Sequence, residues 1–409
     1  MDDQMEEYRK RQREQYQKRQ QDGTEQTEAP AGEAAKAPKA PRKDADETAG
    51  AADEKGNSGQ VSAAAAADLV EASVQDAGAA SSSAGASAGT GASPPSGSLK
   101  LVTWNVDGLD EGQIQLRHTA LADWIKTHKP DIVYLQEVVY PTLRILRKHL
   151  TSTYDIIIPT NPRPDPSDME SLTRGIPCAY FCAVLLNKQS IQACGAPDSK
   201  WYPQSCMMRH LLSIRARPTA ASAKDAELLL GTSHLESTAE YKNERVNQLS
   251  IVATNMEGWL SDPDTPSVCT VIVGGDLNLR DPEVKAAGVP SHIRDVWELL
   301  GKPDSCRYTW DMAANDNLVM QGGGKPRCRF DRLFIGQRPQ GSASPPSGRY
   351  RWVPQSIEMV GTDRLSSCGR FISDHFGLLV KLELAVPTEG GEGGGSKGQK
   401  AKAKAKKGK

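Results

Sequence analysis

The chain has 409 residues, 38% of them hydrophobic and 25% charged, and a formal net charge of −1. That balance excludes a uniformly basic nucleic-acid binder, so any such binding must come from a local patch. No run of about 18 apolar residues is present, so no membrane helix and no membrane partner are expected.

Composition divides the chain. Of its 22 aromatic residues only Tyr8 and Tyr16 precede Leu99, and none follows Val386. Every Cys and His also falls between those limits. Residues 1–98 carry net −6, residues 387–409 net +5, and the middle is neutral. The expected organisation is a low-complexity N-terminal region over 1–98, a folded domain over 99–386 and a Gly/Lys-rich tail over 387–409. The start, MDDQMEEYRKRQREQ, has no apolar core and is not a secretory signal. Residues 23–98 are rich in Ala, Gly, Ser and Pro, a composition that cannot offset the entropy of ordering, so both flanks are expected to be disordered. The lysine run from Lys397 reads either as a solvated solubility tail or as a nuclear-import or phosphate-attracting segment. The expected location is the nucleus, with the cytoplasm as the alternative. The eight scattered cysteines match no zinc or redox motif and are expected to be reduced thiols.

Within the middle, Leu101–Trp104 is strand-like and Ile114–Lys126 has helical spacing. Asp131–Gln136, Ala179–Leu186, Leu211–Arg215 and Leu228–Thr232 follow as strands. Glu240–Leu260 is a long amphipathic helix. Val268–Val273, Arg329–Ile335, Gln355–Val360 and Gly377–Leu384 complete the set. The consecutive strands argue against a pure βαβ wind. Two packed mixed sheets with helices outside accommodate the order.

One event repeats: a buried strand ends and polar residues follow at once. TWNVDGLD supplies Asn105 and Asp107, and LQE supplies Glu137. LLLGTSHLEST supplies His234 and Ser237, and VIVGGDLNLRD supplies Asp276, Asn278 and Arg280. RCRFDRLFI supplies Asp331, and RFISDHFGLL supplies Asp374 and His375. Carboxylates converging from separate strands repel unless a cation or a shared proton compensates them. Oxygen donors without a Cys or His cluster favour magnesium, with manganese as the alternative. An Asp–Asn pair can orient and deprotonate water, and a histidine beside acids can stabilise a phosphoryl oxygen. The constellation points to metal-assisted hydrolysis of a phosphoester.

At these residues the chain resembles the endonuclease/exonuclease/phosphatase superfamily, which includes DNase I and the abasic endonucleases. TWN, QE, GDLN and SDH carry that likeness. MMRHLL, HLEST with NERVNQL, NLRD, RYTWD and CGRFISDH resemble its branch acting on tyrosine–DNA bonds. The resemblance implies an α/β fold, a four-layer α/β/β/α sandwich of the DNase I type. It implies hydrolysis of the bond between a DNA 5′-phosphate and a tyrosine left by topoisomerase II, by a monomer acting on DNA 5′ ends that carry a tyrosyl or peptide adduct. It assigns Glu137 as the direct metal ligand, Asp107 as an inner- or outer-shell ligand and Asn105 to the phosphate. Asp276 would activate the water that Asn278 orients. His375 would stabilise the transition state, with Asp331 as its partner and Asp374 supporting the network. Tyr180 would bond a phosphate oxygen and Arg209 approach the tyrosine side. His234, Ser237 and Arg280 would grip phosphates, and Trp310, Leu318 and Met320 would form a wall against the terminal base. The ubiquitin-binding module usual in animal members is not legible in residues 1–98, and Asn161–Pro177 is longer and richer in Pro than the resemblance implies. Another phosphoesterase of this fold, acting on abasic DNA or RNA 3′ ends, and a non-catalytic scaffold are the alternatives.

Overall fold

The computed structural model describes residues 97–160, 178–318, 324–339 and 350–385. Met320, the Asn161–Pro177 segment and the expectations for the two flanks, apart from the positions at residues 97–98, lie outside the described residues.

Two βαβ units sit at the centre of two sheets. In the first, β1 (Ser98–Asn105) leads through α1 (Ile114–His128) to β2 (Ile132–Val139), which lies parallel to it. In the second, β8 (Glu227–Ser233) leads through α3 (Lys242–Ser261) to β9 (Val268–Asp276), again in parallel. The remaining strands pair antiparallel around these two units. In the first sheet they are β3 (Tyr154–Ile157), β4 (Tyr180–Asn187), β14 (Arg351–Val360) and β15 (Gly377–Ala385), in the order β14-β15-β1-β2-β4-β3. In the second they are β5 (Ile191–Ala193), β6 (Asp198–Trp201), β7 (His210–Pro218), β10 (Ile293–Asp295) and β13 (Asp331–Gln337). The order there is β10-β13-β9-β8-β7-β5, with β6 also on β7. Two-residue strands β11 (Trp310–Asp311) and β12 (Arg327–Cys328) pair separately.

Every strand expected from the sequence is present, most of them longer by one or more residues. Helix α2 (Tyr140–Leu150) was not expected. Its signals were Pro141 in the first turn and buried Leu143, Leu146 and Leu150 at helical spacing.

Period-two alternation builds the layers. Leu101, Ile132, Tyr134, Leu228, Leu230, Ile272, Leu333 and Ile335 point between the sheets and form one core. Val102, Trp104, Val133 and Leu135 point the other way, under α1 and α2. Val271, Val273 and Phe334 meet Leu249, Val252 and Met256 of α3. Three cores thus separate four layers, the expected α/β/β/α sandwich.

Two buried histidines couple this packing to pH. His118 Nε2 donates to the Val106 carbonyl at 2.8 Å, and Thr142 Oγ1 lies 2.8 Å from Nδ1. Burial pushes its pKa down to about 4, with Arg117 adding to the effect. Burial does the same for His210. The unfolded chain therefore binds protons that the fold refuses, and stability falls as pH drops from about 6.5 toward 4. His118→Gln keeps a donor and an acceptor but no titration. Urea unfolding at pH 7.5 and pH 5 is expected to show the wild type losing about 2 kcal/mol more than the variant. Parallel pH dependences would disprove this.

Candidate active site

The same alternation places the polar strand ends. Asn105 continues the inward set Leu101–Thr103, Asp276 continues Ile272–Gly274, Asp331 begins the set with Leu333 and Ile335, and His234 follows Leu228–Leu230–Thr232. All project from one end of the inter-sheet face. Glu137 has the wrong parity for that face. A bulge between Leu135 and Val138, with Glu137 itself at φ 56°, corrects it. Gly275 makes the adjacent approach possible: its φ is 144°, and a Cβ there would lie 2.0 Å from the Ser233 carbonyl oxygen.

The resulting cluster is continuous. Asn105 Nδ2 donates to Glu137 Oε1 at 3.1 Å and to Asp276 Oδ2 at 2.9 Å. Asp276 Oδ2 lies 3.2 Å from His234 Nε2 and 3.6 Å from His375 Nε2. His375 Nδ1 is 2.8 Å from Asp331 Oδ2. Asn278, at φ 51°, donates its backbone N–H to Asp276 Oδ1 and its side-chain amide to the Leu235 carbonyl.

The electrostatics separate the carboxylates into two groups. Burial opposes the charge of Asp276, but His234, His375 and the Asn105 bond outweigh it and hold the carboxyl well below the usual range. It is ionised at any working pH. Burial likewise opposes the charge of His375, yet Asp331, Asp276 and Asp374 raise its pKa well above the ordinary histidine value. These carboxylates favour the protonated ring, and Asp331, its own pKa raised by burial, faces Nδ1. In contrast, burial lifts Asp107 well above the carboxylate range, with Asp374 and Glu137 adding to it against Arg117. Asp374 is also raised, by burial and by Glu137 and Asp276, against the pull of His375. Glu137, Asp107 and Asp374 thus form a mutually repelling, all-oxygen set that fits a hard divalent cation. Asp276, Asp331 and His375 also bring potential ligand atoms within 4.8 Å of one another. Their short Nδ1–Oδ2 contact is a hydrogen bond that occupies both atoms, so we read that trio as proton-handling.

Asp107 lies 3.4 Å from Arg117, which is fully buried. Glu137 has no such arginine partner among the described residues; it accepts from Asn105 and lies 3.8 Å from His234 Nδ1.

The expected binding residues flank this centre. Arg209 Nη2 donates to Ser237 Oγ at 2.8 Å, and Asn278 approaches the same oxygen at 3.4 Å. The Arg209 guanidinium lies 5.2 Å from the Tyr180 ring centroid, and its Nε and Nη1 are buried without a hydrogen-bond partner. Tyr180 donates its hydroxyl to the Met207 carbonyl at 2.6 Å, so bonding a phosphate would require it to release that acceptor. Arg280 sits 5.0 Å from the Phe330 ring, and Trp310 donates Nε1 to Asp374 at 3.1 Å. Leu318 is half-buried.

Sequence reasoning passed over several residues of this site. Ser373 Oγ donates to the Asn105 carbonyl and accepts the His375 N–H, joining the first and last motifs. Glu236, in the middle of HLEST, is fully buried and accepts from Ser205, Cys206, Met207 and Gln248. An acid enclosed by Leu235 and Ser237 in a strand-end motif was the available signal.

The sequence pattern of the endonuclease/exonuclease/phosphatase family matches residues 102–375, the whole span from β1 to His375. The chain belongs to that family. This family member is 37% identical to tyrosyl-DNA phosphodiesterase 2 of Gallus gallus, over 71% of this chain and 68% of that protein. It is 36% identical to the Homo sapiens protein of the same name, over 70% and 69%. A crystal structure of the Danio rerio protein with a single-strand DNA product superposes with a TM-score of 0.57 at 32% identity, covering 70% of this chain and 98% of that one.

Proposed function

We propose that this family member is a 5′-tyrosyl-DNA phosphodiesterase. Its substrates would be DNA 5′ ends that carry a tyrosine or peptide remnant of topoisomerase II, cleaved by a magnesium-dependent monomer in the nucleus. The observation that carries the reading is the convergence of Asn105, Glu137, His234, Asp276, Asp331 and His375 in one hydrogen-bonded cluster, with Asp276 Oδ2 3.6 Å from His375 Nε2, beside the all-oxygen set. The named relatives support the tyrosyl–DNA linkage as substrate.

In this reading Glu137 would hold the cation, with Asp107 and Asp374 beside it. The bound ion would supply Lewis-acid stabilisation of the phosphoryl oxygens. Asp276 accepts the proton of the attacking water while Asn278 fixes the carboxylate from its backbone N–H. The water oxygen forms the new P–O bond as the bond to the tyrosine oxygen breaks, giving a 5′-phosphate and the tyrosine or peptide as its phenolate, which takes a proton from solvent. His375 carries its charge opposite Asp276, where negative charge develops on the phosphoryl group. His234, Ser237 and Arg280 would bind the phosphates, Arg209 with its unsatisfied N–H groups would face the tyrosyl side, and Trp310 would offer a flat surface to any terminal base.

Tyrosine release from a 5′-tyrosyl oligonucleotide, with magnesium and with chelator, tests this. The expected result is release that requires the ion. Cleavage of only an abasic duplex or a poly(A) strand in parallel assays would reassign the substrate.

A further inference from the structure

Arg245, in the first turn of α3, is fully buried, yet it touches none of the reacting groups. Its guanidinium joins two segments that do, the turn after His234 and the short helix Asp281–Ala286 that Arg280 caps. On one side Nη1 donates to the carbonyls of Glu236, Ser237 and Thr238, immediately after His234. On the other, Nε and Nη2 grip Glu283 bidentately at 3.0 and 2.9 Å. Glu283 Oε2 in turn accepts the backbone N–H of Arg280 at 3.2 Å.

We infer that Arg245 is a positioning residue that sets the spacing between Ser237 and Arg280, and so between two phosphate grips along one DNA strand. A buried ion pair is a poor device for stability alone, since an apolar pair of the same volume serves as well. Here every hydrogen bond described for the guanidinium serves the 236–238 turn or Glu283, and none goes to the backbone of its own helix. Thr238, which receives one of them, holds φ 64°, a conformation a threonine keeps only where its surroundings impose it. The planar fork matters as well. A lysine has a single point of charge and cannot hold a carboxylate bidentately and three carbonyls together.

The inference rests on the DNA-binding reading of Ser237 and Arg280, and a binding assay separates it from the catalytic reading. The probe is a fluorescein-labelled single-stranded oligonucleotide with a 5′-phosphate, titrated with the full chain at several salt concentrations. For Arg245→Lys we expect Kd to rise about tenfold, the loss of one charge-assisted contact. The slope of log Kd against log salt should shrink by about 0.7, one phosphate fewer on a single strand. Glu283→Gln, which keeps the shape and removes the charge, should move both readouts the same way by less. It decides the matter if Arg245→Lys does not fold. Folded variants with wild-type Kd and slope would overturn the inference. So would a rise in Kd with no change in slope, since general distortion removes no particular phosphate. A wild type that binds this probe but releases no tyrosine from a separate 5′-tyrosyl oligonucleotide would sink the phosphodiesterase reading and leave the role of Arg245 standing.

Discussion

Asp276→Asn is expected to lower kcat on a 5′-tyrosyl oligonucleotide by roughly 10²–10⁴-fold, the range a positioned general base contributes. The two side chains have the same shape, so the fold should hold. Asp276 Oδ2 now receives Asn105 Nδ2 at 2.9 Å and faces two histidines, and Oδ1 receives the Asn278 N–H. An amide can keep one of those acceptor roles but not both, and it cannot take a proton from water. It also leaves the positive charge of His375 without its nearest opposing oxygen apart from Asp331. KM should change far less than kcat, because the proposed phosphate grips at Ser237 and Arg280 are untouched. The decisive measurement is the initial rate at saturating substrate beside a thermal melt. A folded variant that turns over at the wild-type rate would remove Asp276 from the base role and leave water activation to another group.

Much of this site could be read before the fold was known, because strand ends announce themselves. Asn105, Asp276 and His234 each follow an alternating apolar run, and parity alone puts them on one face. Glu137 shows where that reasoning stops. Counting by twos from Leu135 sends it to the helix side of the sheet, and only a bulge with a left-handed φ brings it to the cluster. Nothing in IVYLQEVV marks a bulge, since its energy lies in the cross-strand pairing with β4 and not in the residues themselves. Arg245 and Glu236 were hidden for a related reason. Each is a charged residue in a motif read for its other members, and burial of a charge is legible only once its partners are in place. Helix α2 was missed because its start, Tyr140–Pro141, directly continues the end of β2. A strand that turns straight into a helix leaves no loop composition to find.

Glu137→Gln separates the proposed cation site from the proposed proton-handling trio. The amide keeps the reach of the side chain and can still accept from Asn105, but it carries no charge. With divalent ion withheld, the variant is expected to melt higher than the wild type. Glu137 contributes to the repulsion that lifts both Asp107 and Asp374, so its neutralisation relieves the fold. A gain of about 1 kcal/mol would raise Tm by roughly 2–4 °C in a domain of this size. With ion supplied, the order should invert. The wild type would gain stability by binding the ion, whereas the variant would bind it more weakly by on the order of 100-fold and gain little at the same concentration. Turnover should fall in step and recover partly at high magnesium. Asp107→Asn should weaken the ion by only about tenfold, since Arg117 already neutralises part of that carboxylate. Equal melting curves for wild type and Glu137→Gln, with and without magnesium, would show that the acidic set holds no ion, and hydrolysis would then have to proceed from Asp276 and His375 alone.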